Sequence, residues 1–147
     1  MTAVHTGACH CGAITVAFRT GLAAGALTIR ACQCSFCRRH GVKAVADPAG
    51  SLRIEAKADG LMHYRFGLQT ADFLICRDCG CYVAAMIDTA GQRRATLNVS
   101  ATAIAGLSER PAEPVSYDGE SVDERKARRL RSWTPVEIID VAHPRAA

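Results

Sequence analysis

Hydrophobic residues along the chain form many short runs that are separated by Gly, Pro and Asp. Short runs bounded by turn residues, with β-branched and aromatic positions among them, are typical of strands. Turn signals such as Asp47-Pro48-Ala49-Gly50 support these boundaries, because proline presets φ and glycine allows a positive φ. The pattern therefore predicts a mainly β fold, with strands over 13–19, 27–31, 42–46, 52–56, 62–66, 73–76, 82–88, 93–99 and 136–141.

One segment near the C-terminus departs from this pattern and predicts a helix over 121–131. Ser121 and Glu124 have the spacing of a capping box, and Glu124 and Arg128 have the i,i+4 spacing of a helical ion pair. The basic residues of 125–131 suit the C-terminal end of a helix dipole, so we interpret them as a solvated face. Binding of nucleic acid or of an anionic membrane is the alternative for this segment.

Length and composition indicate one ordinary folded domain. The chain has 147 residues, of which 49% are hydrophobic and 22% are charged, so we predict a single domain over 1–147. Its longest apolar stretches fall short of the roughly 18 to 20 residues that cross a bilayer, which argues against a membrane role. The first residues resemble no signal peptide, so we expect a cytoplasmic protein with reduced thiols.

Eight cysteines are the exceptional feature of the composition. Clustered thiols in a reducing compartment indicate metal ligands or redox groups rather than disulfides. A thioredoxin-like redox pair needs a βαβ context that the predicted strands do not offer, so metal binding is favoured. The three clusters are Cys9-His10-Cys11-Gly12, Cys32-Gln33-Cys34-Ser35-Phe36-Cys37 and Cys76-Arg77-Asp78-Cys79-Gly80-Cys81.

The first and third clusters predict a closed structural zinc site. A tetrahedral zinc with metal-sulfur distances of about 2.3 Å needs its sulfurs a little under 4 Å apart, which C-x-C and C-x-x-C turns achieve. Gly12 and Gly80 follow these turns and tolerate the positive φ with which such turns often end. The predicted ligands are Cys9, Cys11, Cys76 and Cys79.

The middle cluster predicts a different kind of zinc site. Cys32, Cys34 and Cys37 offer three thiolates with no obvious fourth cysteine, the pattern of a zinc that keeps one position open for water or substrate. His40 or Cys81 would instead complete a second closed structural site, and this alternative stays open at the level of sequence. For Cys81, which begins an apolar run, a buried inert thiol is the default expectation.

Order and spacing of the three cysteine motifs across residues 7–100 resemble the glutathione-dependent formaldehyde-activating enzyme (GFA) family, also grouped as GFA/CENP-V. The resemblance implies a β-tent of short antiparallel sheets around the zinc-cysteine sites, here with one C-terminal helix. It also implies two zinc ions per chain, a structural one on the outer cysteine pairs and a catalytic one on the middle three. The motifs that carry it are Gly7-Ala8-Cys9-His10-Cys11-Gly12, Cys32-Gln33-Cys34-Ser35-Phe36-Cys37-Arg38-Arg39 and Cys76-Arg77-Asp78-Cys79-Gly80.

The family's reaction implies a zinc-dependent carbon-sulfur lyase that forms or cleaves the adduct of glutathione, or a similar thiol, with formaldehyde or another small aldehyde. The alternative is a non-enzymatic module with two structural zincs that mediates protein or nucleic-acid interaction. Nucleic acid is disfavoured, because four-thiolate and three-thiolate zincs carry net charges of −2 and −1 and reduce the formal +4 to about +1.

Residues beside the middle cluster are candidates for substrate binding. Arg38 and Arg39 stand where their guanidinium groups could hold the carboxylates of a thiol such as glutathione, and an exposed loop charge is the alternative. His40 is a candidate proton carrier. Tyr64 and Tyr82 could line a pocket, but alternation along strands favours core packing for both.

Overall fold

The computed structural model of the chain describes residues 2–142 and confirms a mainly β fold with a C-terminal helix. Two α-helices, α1 (Ser35–Arg39) and α2 (Val122–Ser132), accompany the strands in this part of the chain. The strands are β1 (Ala3–Ala8), β2 (Thr15–Thr20), β3 (Arg30–Cys32), β4 (Ala44–Val45), β5 (Ser51–Ala56), β6 (Leu61–Tyr64), β7 (Asp72–Cys76), β8 (Tyr82–Thr89), β9 (Gln92–Asn98), β10 (Glu113–Val115) and β11 (Thr134–Asp140).

All of these strands belong to one sheet, whose main path runs β1-β2-β5-β11-β9-β4-β3-β10. A branch leaves β9 through β8 and β7 to β6. Most pairs are antiparallel, as predicted, but β10 runs parallel to β3 and β11 runs parallel to β5. Because β11 also pairs antiparallel with β9, it joins the N-terminal strands to the rest of the sheet.

Every predicted strand overlaps an observed one, and the sequence pattern misses two strands, β1 and β10. The β1 segment, AVHTGA, has small and polar residues where an apolar alternation would be expected. The β10 segment has three residues, one of them Pro114, too short for a period to be read. Both strands are specified by their partners, β2 and β3, rather than by their own side chains.

Two groups of buried side chains fill the interior. The larger group packs between the layers of the sheet and includes Phe18, Ile54 and Leu74, all fully buried. The smaller group surrounds Cys37 and includes Trp133, which lies between α2 and β11. This second group positions the residues of the candidate site.

Helix α2 begins as the sequence predicts. The Ser121 hydroxyl accepts a hydrogen bond from the Glu124 backbone at 3.1 Å, and the Glu124 carboxylate accepts one from the Ser121 backbone at 3.0 Å. The predicted Glu124–Arg128 pair is wrong, because Arg128 forms a two-pronged ion pair with Glu120 instead. Neither described helix is long and apolar enough to cross a membrane.

Candidate metal centres and the adjoining cavity

Four sulfurs from the first and third clusters converge, as predicted. Cys9 directly follows β1 and Cys76 ends β7, while Cys11 and Cys79 lie in the turns beyond them. The sulfurs of Cys9, Cys11, Cys76 and Cys79 all lie within 4.8 Å of one another. The Cys9–Cys11 and Cys11–Cys76 sulfur distances are both 3.7 Å. We call these residues the four-cysteine group.

A local backbone hydrogen bond closes each of the two turns that carry these sulfurs. The Gly12 amide donates to the Cys9 carbonyl at 3.0 Å, and the Gly80 amide donates to the Cys76 carbonyl at 2.9 Å. Both glycines have a positive φ, 82° for Gly12 and 80° for Gly80, as the sequence predicts for the ends of such turns. The turns therefore fold the chain back so that each pair of sulfurs points to the same place.

The sulfur geometry fits a tetrahedral metal. A zinc with metal-sulfur distances of about 2.3 Å has tetrahedral edges of about 3.8 Å, close to the two sulfur distances of this group. Burial acts to raise the pKa of Cys79, but backbone N–H groups of Cys11 and Cys81 lower it to about 6. Burial raises the pKa of Cys76 to about 12. The turns thus already provide donors that stabilise sulfur in its thiolate form at Cys79.

The eighth cysteine, Cys81, lies beside the four-cysteine group and outside both groups of converging sulfurs found among the described residues. Its side chain is half-buried, and burial raises its pKa. Cys81 therefore does not supply a fourth sulfur to the middle cluster.

Three sulfurs of the middle cluster converge at the junction of a strand and a short helix. Cys32 ends β3, Cys34 caps the N-terminus of α1, and the buried Cys37 lies within α1. Their sulfurs lie within 4.8 Å of one another, and no fourth His, Cys, Asp or Glu from residues 2–142 joins them. His40 is thus outside the cluster. We call Cys32, Cys34 and Cys37 the three-cysteine group.

Helix α1, which the sequence analysis did not predict, gives the three-cysteine group its shape. The Cys37 backbone amide donates to the Cys34 sulfur at 3.4 Å, so a cysteine performs the capping role that Ser or Asp usually takes. Hydrogen bonds from the side chains of Cys32 and Cys37 lower the pKa of Cys34. Contacts with Cys32 and then Cys34 raise that of Cys37. The Cys34 sulfur thus lies at the helix N-terminus, where the Cys37 N–H group stabilises its thiolate form.

A cavity of 520 Å³ is lined by all three cysteines of this group. Strand β3, helix α1, strands β7 and β8, the loop at 115–118 and helix α2 all contribute to its walls. Besides the three cysteines, its lining residues are Arg30, Val42, Ala44, Phe66, Phe73, Tyr82, Ala85, Thr96, Val115, Ser116, Tyr117, Asp118, Arg125, Arg128, Arg129, Ser132 and Trp133. The four-cysteine group does not line this cavity.

The basic segment of α2 faces the cavity, which corrects its interpretation as a solvated face. Arg125 and Arg128 are half-buried and Arg129 is buried, so three of the basic side chains lie against the protein. Lys126 and Arg131 are exposed. Sequence alone does not reveal this orientation, because Lys and Arg follow one another along most of the helix and leave no apolar stripe to mark its inner face.

The residues that directly follow Cys37 are placed differently. Arg38, Arg39 and His40 are exposed and are not among the lining residues of the cavity. The His40 ring packs 4.4 Å from that of Phe36. Their roles in substrate binding stay predictions.

The two tyrosines considered in the sequence analysis also differ in position. Tyr82 is buried and lines the cavity, whereas Tyr64 is 43% exposed and stacks against Phe36. Burial, followed by the charges of the three-cysteine group, raises the pKa of the Tyr82 phenol well above 10. Tyr82 therefore stays protonated at neutral pH beside the sulfurs.

Comparison with known proteins agrees with the motifs. Residues 4–115 match the family described as glutathione-dependent formaldehyde-activating enzyme. The crystal structure of a Rhodobacter sphaeroides protein is similar, with 32% sequence identity and a TM-score of 0.58, and the match covers 75% of this chain and 99% of that one. Helix α2 and strand β11 lie beyond the region that the family matches. By this match, the chain belongs to the glutathione-dependent formaldehyde-activating enzyme family.

Proposed function

We propose that the chain is a zinc-dependent carbon-sulfur lyase that forms or cleaves the adduct of a thiol, glutathione or a similar one, with formaldehyde or another small aldehyde. The observation that carries this proposal is that the three-cysteine group opens on a cavity of 520 Å³. A closed structural site needs no such space. Membership of the family supports the reaction class.

The two cysteine groups have separate roles in this proposal. Cys9, Cys11, Cys76 and Cys79 hold a structural zinc, and Cys32, Cys34 and Cys37 hold a catalytic one. When bound to the three-cysteine group, zinc would stabilise a substrate thiol as thiolate at neutral pH. A reducing compartment such as the cytoplasm would keep all of these thiols available as ligands.

The chain's own residues prepare the reaction in two ways. Apolar side chains of the cavity, among them Val42, Phe73 and Trp133, limit water near the reacting groups. The protonated Tyr82 phenol can donate a hydrogen bond to an aldehyde oxygen, on which negative charge develops as sulfur attacks. We assign no such role to Tyr64, which is exposed.

The chemical step balances without an oxidant or reductant. The thiol sulfur bonds to the carbonyl carbon, the carbon-oxygen π bond becomes an oxygen lone pair, and the thiol proton ends on that oxygen. The product is a hemithioacetal. Cleavage is the reverse, in which the hydroxyl loses its proton, the carbonyl re-forms and the carbon-sulfur bond breaks.

The test compares two cysteines that differ in position. Zinc-loaded wild type, Cys34→Ser and the control Cys81→Ala are mixed with glutathione and formaldehyde, and the exchange rate of the adduct is measured by magnetisation-exchange NMR. We expect the wild type and Cys81→Ala to exceed the uncatalysed rate, and Cys34→Ser to fall back to it.

Metal content per chain is measured on the same samples. We expect two zincs in the wild type and in Cys81→Ala, and one in a folded Cys34→Ser. No catalysis by the two-zinc wild type would contradict the lyase proposal and favour the alternative of a non-enzymatic module with two structural zincs.

A further inference from the structure

Arg129 is a buried cation that forms no ion pair with a carboxylate of residues 2–142. The residue is 6% exposed, and its Nη1 donates to the hydroxyl of Thr70 at 2.8 Å and to the carbonyl of Thr70 at 3.3 Å. Its Nε is buried without a hydrogen-bond partner among the described residues. The guanidinium lies 4.8 Å from the ring centre of Trp133. Burying a charge without a counter-ion is costly, so this arrangement calls for a ligand.

The nearby carboxylates do not provide that counter-ion. Glu120 accepts both prongs of Arg128, at 2.9 and 3.1 Å, and lies 3.6 Å from Arg125. Asp118 lines the cavity but is exposed and forms no ion pair within residues 2–142. Burial, and then the charges of Arg128 and Arg125, lower the pKa of Arg129 to about 10, so it stays charged at neutral pH.

A second arginine, Arg30 on strand β3, also lines the cavity. Arg30 lies on β3 two residues before Cys32, and residues at this spacing share one face of a strand. Its side chain makes no hydrogen bond or ion pair with the rest of the described chain. Four arginines in the lining outweigh the two carboxylates in or beside it and the net −1 of a three-thiolate zinc, so the wall carries excess positive charge of about one unit.

We infer that Arg129 and Arg30 form an anion-binding subsite in this cavity, which takes a carboxylate or a similar oxyanion of the ligand and so selects anionic over neutral thiols. The paired N–H donors of a guanidinium group fit the two oxygens of a carboxylate, and the two groups carry opposite charges. The selection of thiols rests on the proposed function, whereas the anion subsite does not. Arg129 lies beyond residue 115, so this subsite depends on the segment outside the matched family region.

The experiment measures binding by calorimetry to the zinc-loaded protein with three probes of similar size: 3-mercaptopropionate, 3-mercapto-1-propanol and the thiol-free butanoate. In the wild type we expect 3-mercaptopropionate to bind about tenfold or more tightly than the neutral thiol, because one charge-assisted hydrogen-bonded contact is lost. In Arg129→Gln the ratio of the two thiol affinities should fall to about one, while the affinity of 3-mercapto-1-propanol is retained.

Further variants keep the experiment informative. Arg30→Gln reduces the preference even if Arg129→Gln does not fold, and Arg129→Lys retains the charge but loses the fork. The matched control is Arg93→Gln, which removes an exposed arginine that pairs with Asp88 and does not line the cavity. Circular dichroism checks the fold of each variant.

Each outcome bears on the subsite. Equal binding of the two thiols by the wild type, or a preference that survives both Arg129→Gln and Arg30→Gln, would overturn it. Binding of butanoate that depends on Arg129, with no gain from a thiol, would support the subsite and contradict the proposed thiol chemistry. A wild type that prefers the carboxylate but has no lyase activity would likewise support the subsite and contradict the proposed thiol chemistry.

Discussion

The four-cysteine group and the three-cysteine group use the same ligand type in contrasting surroundings. The first joins two turns that lie far apart in sequence, and its sulfurs contact one another and nearby backbone amides. The second lies where β3 meets α1, within one short segment, and its three cysteines line a cavity. The first group is thus surrounded by protein contacts, whereas the second borders open space.

Thiol spacing alone therefore does not determine which kind of site a cysteine group forms. Both groups keep their sulfurs within 4.8 Å of one another, so each is competent to bind a metal. What separates them is the number of sulfurs and the neighbouring residues. The three-cysteine group has a buried phenol and several guanidinium groups around its cavity, and all of these except Arg30 come from elements remote in sequence.

Breaking the four-cysteine group should have the largest effect on the protein. In Cys79→Ser the metal loses one of four ligands that tie β1 to β7, so we expect the free energy of unfolding to fall by about 4 kcal/mol or more. Denaturant unfolding of the zinc-loaded protein measures this change. Cys34→Ser is the matched variant and should lose less than half as much. Equal losses would show that both groups are structural.

Stepwise metal removal should separate the groups without mutation. We expect a zinc chelator, added slowly to the wild type, to remove the metal of the three-cysteine group first, because the cavity gives access and three sulfurs hold it. Far-UV circular dichroism should stay unchanged during this first release. Simultaneous loss of both metals with the fold would remove the distinction between the groups.

Low pH should weaken the contact between Glu120 and helix α2 beside the cavity, with a smaller effect on stability. The hydrogen bond from Arg128 lowers the pKa of Glu120, so the stabilisation is fully present above the unfolded value near 4.5 and is lost as the pH falls through the folded value. We expect Glu120→Gln to cost about 1 kcal/mol at pH 7 and to weaken the dependence of thermal stability on pH below 4.5.

The control for this prediction is Glu137→Gln. Glu137 pairs with Arg53 across an exposed part of the sheet, where its side chain is 60% exposed, so its loss should change stability little. An equal effect of the two variants would show that the Glu120 pair is no more than a surface ion pair.

Much of the fold could be predicted from local signals in the sequence. Turn residues set the strand boundaries, and the reciprocal hydrogen bonds of Ser121 and Glu124 confirm the predicted start of α2. Pairing of the two sulfurs within each turn of the four-cysteine group also follows from short-range geometry, since a local backbone hydrogen bond closes each turn. Such features depend on residues within a few positions of one another.

The missed features have two causes: a local capping role that propensity does not assign to cysteine, and contacts between residues that are remote in sequence. Cys34 caps α1 through its sulfur, although propensity gives cysteine no such role. Arg129 is buried because Trp133 and Thr70 surround it, and nothing in its own segment marks it apart from Arg131. Motif and spacing indicated Arg38 and Arg39, and they did not indicate the arginines of α2 that line the cavity.

The place of β11 in the sheet has a consequence for the order of events during protein synthesis. This strand is translated after both of its partners, β5 and β9, yet it lies between them and packs Val136 and Ile138 against the main core. A nascent chain that ends before β11 leaves the edge of β5 unpaired, which is a template for association with other chains. We therefore expect the emerging polypeptide to need chaperones until β11 is made, or to need β11 to pair rapidly with β5 and β9 once it is made.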